Sequence, residues 1–389
     1  MPHPRPVRLQ FDLTLDALGK GKRLSSGLSS ATAIGDSLWV CHDETVSVER
    51  LARVRARSGT ALHYAQHHQF LLADYVRLPV DAKSATAARP EADLEGLASA
   101  DGYLWVIGSH AVRRGEPKGR SAQEALAAVA ETSRAGNRYL LARIPVDVRD
   151  GEVILRRRVK EVEPASGADA RSVRTAAQLP GNAKGNILTD ALRRDVHVGP
   201  FLDIPSKDNG FDLEGIAAGA GGRLFIGARG PMLNGWACVI EIKAAAHRKH
   251  ADRLTLEPIN PGNPSNPSCA LYRKHLLDLN GGSIRDLCLA GPDLLVLTGP
   301  PMRGDGLSRV VRWRNALATN AERVVSRERL EVLLTLPYDD VHDHAEGLGL
   351  MERLPNGALK LLVVYDSAAN TRRVGRASIV ADMFTLPAR

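Results

Sequence analysis

Three acid–glycine pairs stand out as candidates for chemistry: Glu95-Gly96, Glu214-Gly215 and Glu346-Gly347, each opening an apolar run. Asp93 stands two residues before the first, Asp212 two before the second, and His342 and His344 just before the third. Side chains two apart on a strand share a face. Asp93/Glu95, Asp212/Glu214 and His342/His344/Glu346 therefore each read as a same-side set. Gathered carboxylates can hold Ca2+ through oxygen, with water completing the shell. They can act as a general base, or pair with cations as a purely structural network. The residue types leave all three open.

For a metal, the candidate ligands are Glu95, Glu214 and Glu346. For acid–base work, the candidate carboxylates are Glu95 and Glu214. His110 or His344 would be the partner, because imidazole titrates near neutral pH. Arg229 and Arg285, with Asp212 and Lys207, are candidates to hold the anionic part of a substrate. Zinc would need His342, His344 and Glu346 to converge. Nucleophilic catalysis has little behind it: no G-x-S-x-G is present, and Ser29 and Ser30 have no partner visible in sequence. Gly181-NAKGN lacks the Lys-Ser/Thr ending of a phosphate loop.

The elements that must position these residues repeat along the chain. Five segments share a short apolar strand, a Gly- or Asp-bearing turn and a stronger apolar strand: 28–44, 91–110, 210–231, 282–301 and 342–367. With Ser30, Glu95, Glu214, Arg285 and Glu346 as equivalents, the intervals are 65, 119, 71 and 61 residues. The long interval reads as an insertion. Strand candidates follow the hairpins at Arg138-YLLARIPV, Glu152-VILRRRV, Trp236-ACVIEIK, Arg253-LTLEPI, Ser308-RVVRWR and Leu330-EVLLTLP. Four strands per repeat, stacked radially, make a propeller blade, which buries its faces only against neighbouring blades. The expected fold is all-β, a single β-propeller domain over 1–389 with five blades, six being the alternative. Val7-RLQFDLTL would add a fourth strand to the last repeat and close the ring.

In such a ring the starts of first strands and the ends of second strands meet at one end of the axis. Asp93, Glu95, Asp212, Glu214, Arg285, Asp286 and the 342–346 set stand at the starts. His42, Asp43, Glu44, His110, Arg229 and Asp366 stand at the ends. One polar funnel is expected there. The glycine after each Glu would let neighbouring backbones approach a crowded axis. Insertions at 112–137 and 163–210, with helical stretches Ser121-AQEALAAVAETS and Asn186-ILTDALRRDV, map to the same face as a rim or lid. Trp39, Trp105 and Phe225, at equivalent places in three hairpins, read as packing between blades. His63, His67 and His68 read as solvated surface.

Composition narrows the partners. The formal charge is +8, but the positives are scattered, with the densest run at Arg156-Arg157-Arg158-Val159-Lys160, and aromatics make up only 4%. Base stacking lacks material, so nucleic acid is not an expected partner. No stretch reaches the ~18 apolar residues of a membrane span. No apolar signal segment opens the chain, and Cys41, Cys238, Cys269 and Cys288 form no C-x-x-C pair. A cytoplasmic protein with buried free thiols is expected.

D-L-E-G-L-A, S-K-D-N-G-F-D-L-E-G-I-A, G-A-R-G-P and H-A-E-G-L together resemble the bacterial domain-of-unknown-function 3616 family, over about Leu24 to Ser367. That resemblance implies a propeller-like fold and no established activity. More distantly, the repeated E-G-L strands are similar to phytase-like esterase and calcium-activated nucleotidase propellers, which implies Ca2+ near the axis. The sequence departs from them at Arg285 and Ser30, two of the five equivalent positions. Two functions follow as expectations. One is a hydrolase of an anionic or ester substrate, metal-assisted through Ca2+. The other is a non-catalytic platform for a small ligand or a protein partner.

Overall fold

Five antiparallel hairpins build the centre of the computed structural model, which describes residues 3–19, 21–54, 62–80, 91–117, 121–149, 151–160, 173–261, 265–301, 306–336 and 343–387. Hairpin one joins Ser30–Ile34 to Ser37–Cys41, and hairpin two joins Leu94–Ala100 to Tyr103–Gly108. Hairpin three joins Asp212–Ala218 to Arg223–Leu233, four joins Ser283–Ala290 to Asp293–Gly299, and five joins His344–Arg353 to Leu359–Asp366. Their first strands pack side by side in chain order, and the fifth packs back on the first. The chain is all-β and propeller-like; the α-helices among the described residues are Ala122–Ala130 and Ile187–Leu192. No helix of the described residues is long and apolar enough to cross a membrane.

The second strands are buried on both faces, so they are runs rather than alternations of apolar residues. Tyr103-LWVIG and Ser37-LWVC are buried throughout. The core is divided into wedges between neighbouring hairpins. Trp39, Leu94 and Val106 fill the wedge between one and two, and Ile107, Leu213 and Ile226 that between two and three. Phe225, Ile284, Leu287 and Trp313 fill the next. Val40, Leu348 and Val364 join one to five. Each fully buried aliphatic or Phe side chain contributes roughly 1.5–3 kcal/mol, and none of it forms without the neighbouring hairpin.

The sheets fuse at their outer edges. Arg5–Gln10 pairs antiparallel with the last strand, Ser378–Leu386, and parallel with Leu62–Leu71, so hairpins five and one share an eight-stranded sheet. Gln178 pairs with Arg253, linking hairpins two and three into an eleven-stranded sheet, while hairpin four lies in its own four-stranded sheet. Trp236–His247 departs from the expected pattern. Its first half pairs with Tyr272–Leu277, a strand that sequence reading missed, and its end pairs with His250–Leu256.

On the outer strands, histidine–glutamate pairs recur. His67 Nε2 lies 2.7 Å from Glu49 Oε2, and His275 Nε2 lies 2.9 Å from Glu241 Oε2. The His67 side chain is 1% exposed, so its reading as solvated surface is corrected: the ring turns inward to the carboxylate on the adjacent strand. Both expected helices form in the insertions. Ser121 caps the first through a reciprocal capping box with Glu124, and Asn186 caps the second through the backbone N–H groups of Leu188 and Thr189. Residues 118–120 and 163–172 of the insertions lie outside the described residues, as does His342.

Candidate functional site

The axis owes its side chains to a repeated irregularity. In hairpin two Leu94 pairs with Gly108 and Gly96 with Ile107, leaving Glu95 as an extra residue. The same register shift sets Glu214 and Gly215 between the pairs Leu213–Ala228 and Ile216–Ile226. It leaves Arg285 between Ile284 and Asp286, and Glu346 between Ala345 and Gly347. A bulge bends its strand and re-aims a side chain. Four of the five aligned positions are bulged, while hairpin one runs through Ser30 in regular register. The glycines do what the sequence suggested. A Cβ on Gly96 would stand 2.9 Å from Ile216 N, one on Gly215 2.6 Å from Asp286 Cα, and one on Gly347 2.8 Å from Ser30 Cα.

The re-aimed side chains form a charge network. Arg229 Nη2 donates to Asp212 Oδ2 at 2.5 Å, and its Nη1 lies 2.7 Å from Glu214 Oε1. Arg285 Nη1 donates to Glu214 Oε2 at 3.2 Å and to Glu346 Oε1 at 3.0 Å, while its Nη2 donates to Pro300 O at 2.6 Å. Arg138 Nη1 lies 2.8 Å from Asp93 Oδ2, which also accepts from Ser109 Oγ. Glu95 alone in this set has no hydrogen bond or ion pair to any described residue, and it is half-buried rather than sealed.

Below this layer the axis is stitched shut. Ser30 Oγ donates to Asp286 Oδ2 at 2.9 Å and accepts from Leu97 N–H, and the same Oδ2 accepts from Leu348 N–H at 2.8 Å. Ser30 and Asp286 are fully buried. These bonds close the axis beside the charge network.

Carboxyls outnumber cations here, and the pKa directions follow. Burial pushes Glu95 well above its ordinary value, helped by the charges of Asp93, Glu214, Asp43 and Asp212. Burial raises Glu346 to about 8 against the pull of Arg285, and Asp212 to about 7 against the pull of Arg229. Asp286 is held well above the usual range by burial. Acid forms thus persist toward neutral pH. The mouth is also strained: Asp93, His110, Asp343 and Ser367 all hold positive φ.

Several expected roles do not fit this geometry. His110 is buried with both ring nitrogens engaged: Nδ1 lies 2.7 Å from Gly108 O and Nε2 2.7 Å from Asn186 Nδ2. Burial lowers its pKa to about 4, so it is a neutral brace for the second insertion rather than a proton carrier poised near pH 7. Lys207 is exposed on the rim, 3.5 Å from Glu116, and touches no axial group. His344 is exposed at the start of its strand. The Glu95/Glu214/Glu346 set does not suit Ca2+, because Arg285 already bridges Glu214 and Glu346, and the described residues hold no metal-ligand cluster of three or more His, Cys, Asp or Glu. Sequence reading missed Arg138 and the Ser30–Asp286 stitch. It placed His42, Asp43 and Asp366 in the axial funnel, whereas they line, with Asn370 and Arg373 among others, a cavity of about 550 Å3 beside the axis. That cavity does not include the axial carboxyls; it lies at the seam between hairpins one and five.

The sequence profile described as "Protein of unknown function (DUF3616)" matches residues 27–382. The chain belongs to the domain-of-unknown-function 3616 family. No curated protein matches this family member. Among solved structures it is similar to the PQQ-bound aldose sugar dehydrogenase of Streptomyces coelicolor, at 13% identity and TM-score 0.36, covering 99% of this chain and 100% of that one. A Thermus thermophilus protein assigned as an oxidoreductase (glucose dehydrogenase) is similar at 13% identity and TM-score 0.34, covering 93% and 98%. A glycosyl hydrolase of Bacteroides ovatus is similar at 10% identity and TM-score 0.29, covering 97% and 90%.

Proposed function

We propose that the axial charge network is an acid–base site that hydrolyses an anionic ester. One observation carries this: Glu95 is a carboxyl left without a partner, reachable by solvent, in a network where its neighbours are paired with arginine. Structural networks pair their charges; an unpaired acid with a raised pKa is what general acid catalysis uses. Glu95 would protonate the leaving oxygen. Arg229, 23% exposed at its side chain and fixed by Asp212 and Glu214, would hold the anionic group. Asp212, with its pKa near 7, is placed to accept a proton from water. The count of five blades belongs to the same reading, supported by the closed order of five first strands.

The test is a panel of phosphoesters, carboxylic esters and lactones, with and without added Ca2+, on the full chain and on Glu95→Gln. Turnover that falls at least 100-fold in Glu95→Gln, with the melting temperature kept, supports the reading. Turnover of no compound above buffer overturns it.

A second reading is favoured by the stitch. Ser30, Asp286 and the Arg285 bridge close the axis, as a rigid platform would need, with ligand or partner recognition on the rim. Funnel charges that matter only to stability would favour it.

A further inference from the structure

We propose that the cavity at the seam between hairpins one and five binds a polyhydroxylated alcohol, as the alcohol half of the ester cleaved at the axis. The binding stands on the cavity itself; its place in turnover rests on the axial reading.

The His42 side chain is 6% exposed and lines the cavity. Glu44 N–H donates to its Nδ1 at 3.0 Å. The neutral ring therefore carries its hydrogen on Nε2. A charged ring carries one there too, with the other toward Asp43 Oδ1, 2.8 Å from Nδ1. In either state Nε2 is a donor. It has no partner among the described residues, and buried donors are seldom left so.

Asp366 stands across a gap from this donor. A Cβ on Gly27 would stand 2.7 Å from His42 Nε2 and 3.0 Å from Asp366 Oδ1. Only the missing side chain of Gly27 leaves the two reachable together. A group set between them must accept from Nε2–H and offer a hydrogen to the carboxyl oxygen. An ammonium cannot accept. A carboxylate or a fully ionised phosphate has no hydrogen to offer Asp366, and would also meet the charge of Asp43. A hydroxyl does both.

A single hydroxyl only replaces the water that could do the same. The rest of the wall suits several. Asp43, whose side chain is 42% exposed, adds an acceptor. Asn370 is exposed, with an amide that has no partner among the described residues, and adds both kinds of group. The volume of about 550 Å3 is that of a small-molecule site. Asp43 also ties the cavity to the axis. Its charge acts on Asp366 and on Glu95 alike. A ligand that reaches Asp43 is therefore within charge reach of the group that would protonate the leaving oxygen, where the alcohol half of an ester belongs.

The test is calorimetric titration of D-glucitol into the full chain, with hexan-1-ol and inorganic phosphate as comparisons. Wild type should bind D-glucitol with a millimolar Kd, and more tightly than either comparison. Asp366→Ala, at a half-buried carboxyl, should weaken D-glucitol about tenfold, the loss of one hydrogen bond. His42→Phe, which keeps a ring and removes the donor, should do the same. Gly27→Ala, at a residue whose φ is −144°, should fill the gap and abolish binding. Circular dichroism and melting temperature establish which variants are folded, and Asp366→Ala decides if the two buried changes are not. No binding by wild type, phosphate bound as tightly as D-glucitol, or binding that folded Asp366→Ala keeps in full overturns the proposal. With any ester that wild type turns over, D-glucitol should inhibit competitively; turnover untouched by saturating D-glucitol removes the link to the axis. D-Glucitol binding without turnover of any ester sinks the axial reading and leaves the polyol site standing. Turnover lost in Glu95→Gln, with no D-glucitol binding, does the reverse.

Discussion

Glu241 on an outer strand and Glu95 at the axis are glutamates on the same scaffold, yet their pKa values move in opposite directions. Burial acts to raise both. Glu241 accepts from Arg223 Nε at 2.6 Å and from Arg273 Nη1 at 3.2 Å, with His275 Nε2 at 2.9 Å. Those donors outweigh burial and leave its pKa lowered. Glu95 has no donor and four nearby carboxyls, so burial wins and its pKa rises. The difference lies in cations per carboxylate, not in depth. Where donors converge, the site is a brace; where they are short, the protein keeps a titratable acid.

The largest expected effect is at the brace. Glu241→Ala strands two arginines and a buried histidine, and should cost ~3–5 kcal/mol of unfolding free energy in guanidinium. A variant as stable as wild type would break the comparison. Glu214→Gln should cost less, about 1–3 kcal/mol, because Asp212 still holds Arg229 and Glu346 still holds Arg285. Equal losses at the two positions would mean the axis is braced as firmly as the edge.

The pH response sharpens the contrast. Carboxyls with raised pKa keep their protons in the folded chain after the unfolded chain has lost them. Their contribution is complete below the unfolded pKa and is lost as pH rises: from 4.5 to about 8 for Glu346, and from 3.8 to about 7 for Asp212. Glu241 works the other way, with its contribution lost as pH falls through its lowered pKa. Glu346→Gln should flatten the fall in stability between pH 5 and 8 by on the order of 1 kcal/mol, measured by urea unfolding across that range. An unchanged slope would remove Glu346 from the account. The smallest effect belongs to Lys207→Ala, within about 0.5 kcal/mol of wild type and silent in any ester assay; a larger change would return the rim to the site.

The repeats were legible because each hairpin carries its own turn and apolar strands, and the Glu-Gly pairs mark the axis in three of them. The bulges were not, since register depends on the partner strand. Which carboxyl ends up alone could not be read either. Arg285 reaches Glu214 and Glu346 from a neighbouring hairpin on each side, and nothing local in the sequence says that no arginine reaches Glu95. The Glu241–His275 brace escaped notice because the strand Tyr272–Leu277 did. His42 and Asp366 were expected at the same end of the axis, as second-strand ends; that they line a cavity at the seam between the first and last hairpins was not legible.

Closure by Arg5–Gln10 also has a consequence during synthesis. That strand is made more than 360 residues before its antiparallel partner, Ser378–Leu386. At translation speeds of 5–20 residues per second the wait is roughly 20–80 s. Throughout it the early strand has only Leu62–Leu71 beside it, and its other edge stays open to any passing strand. The nascent chain is therefore exposed to wrong pairing until that partner strand emerges.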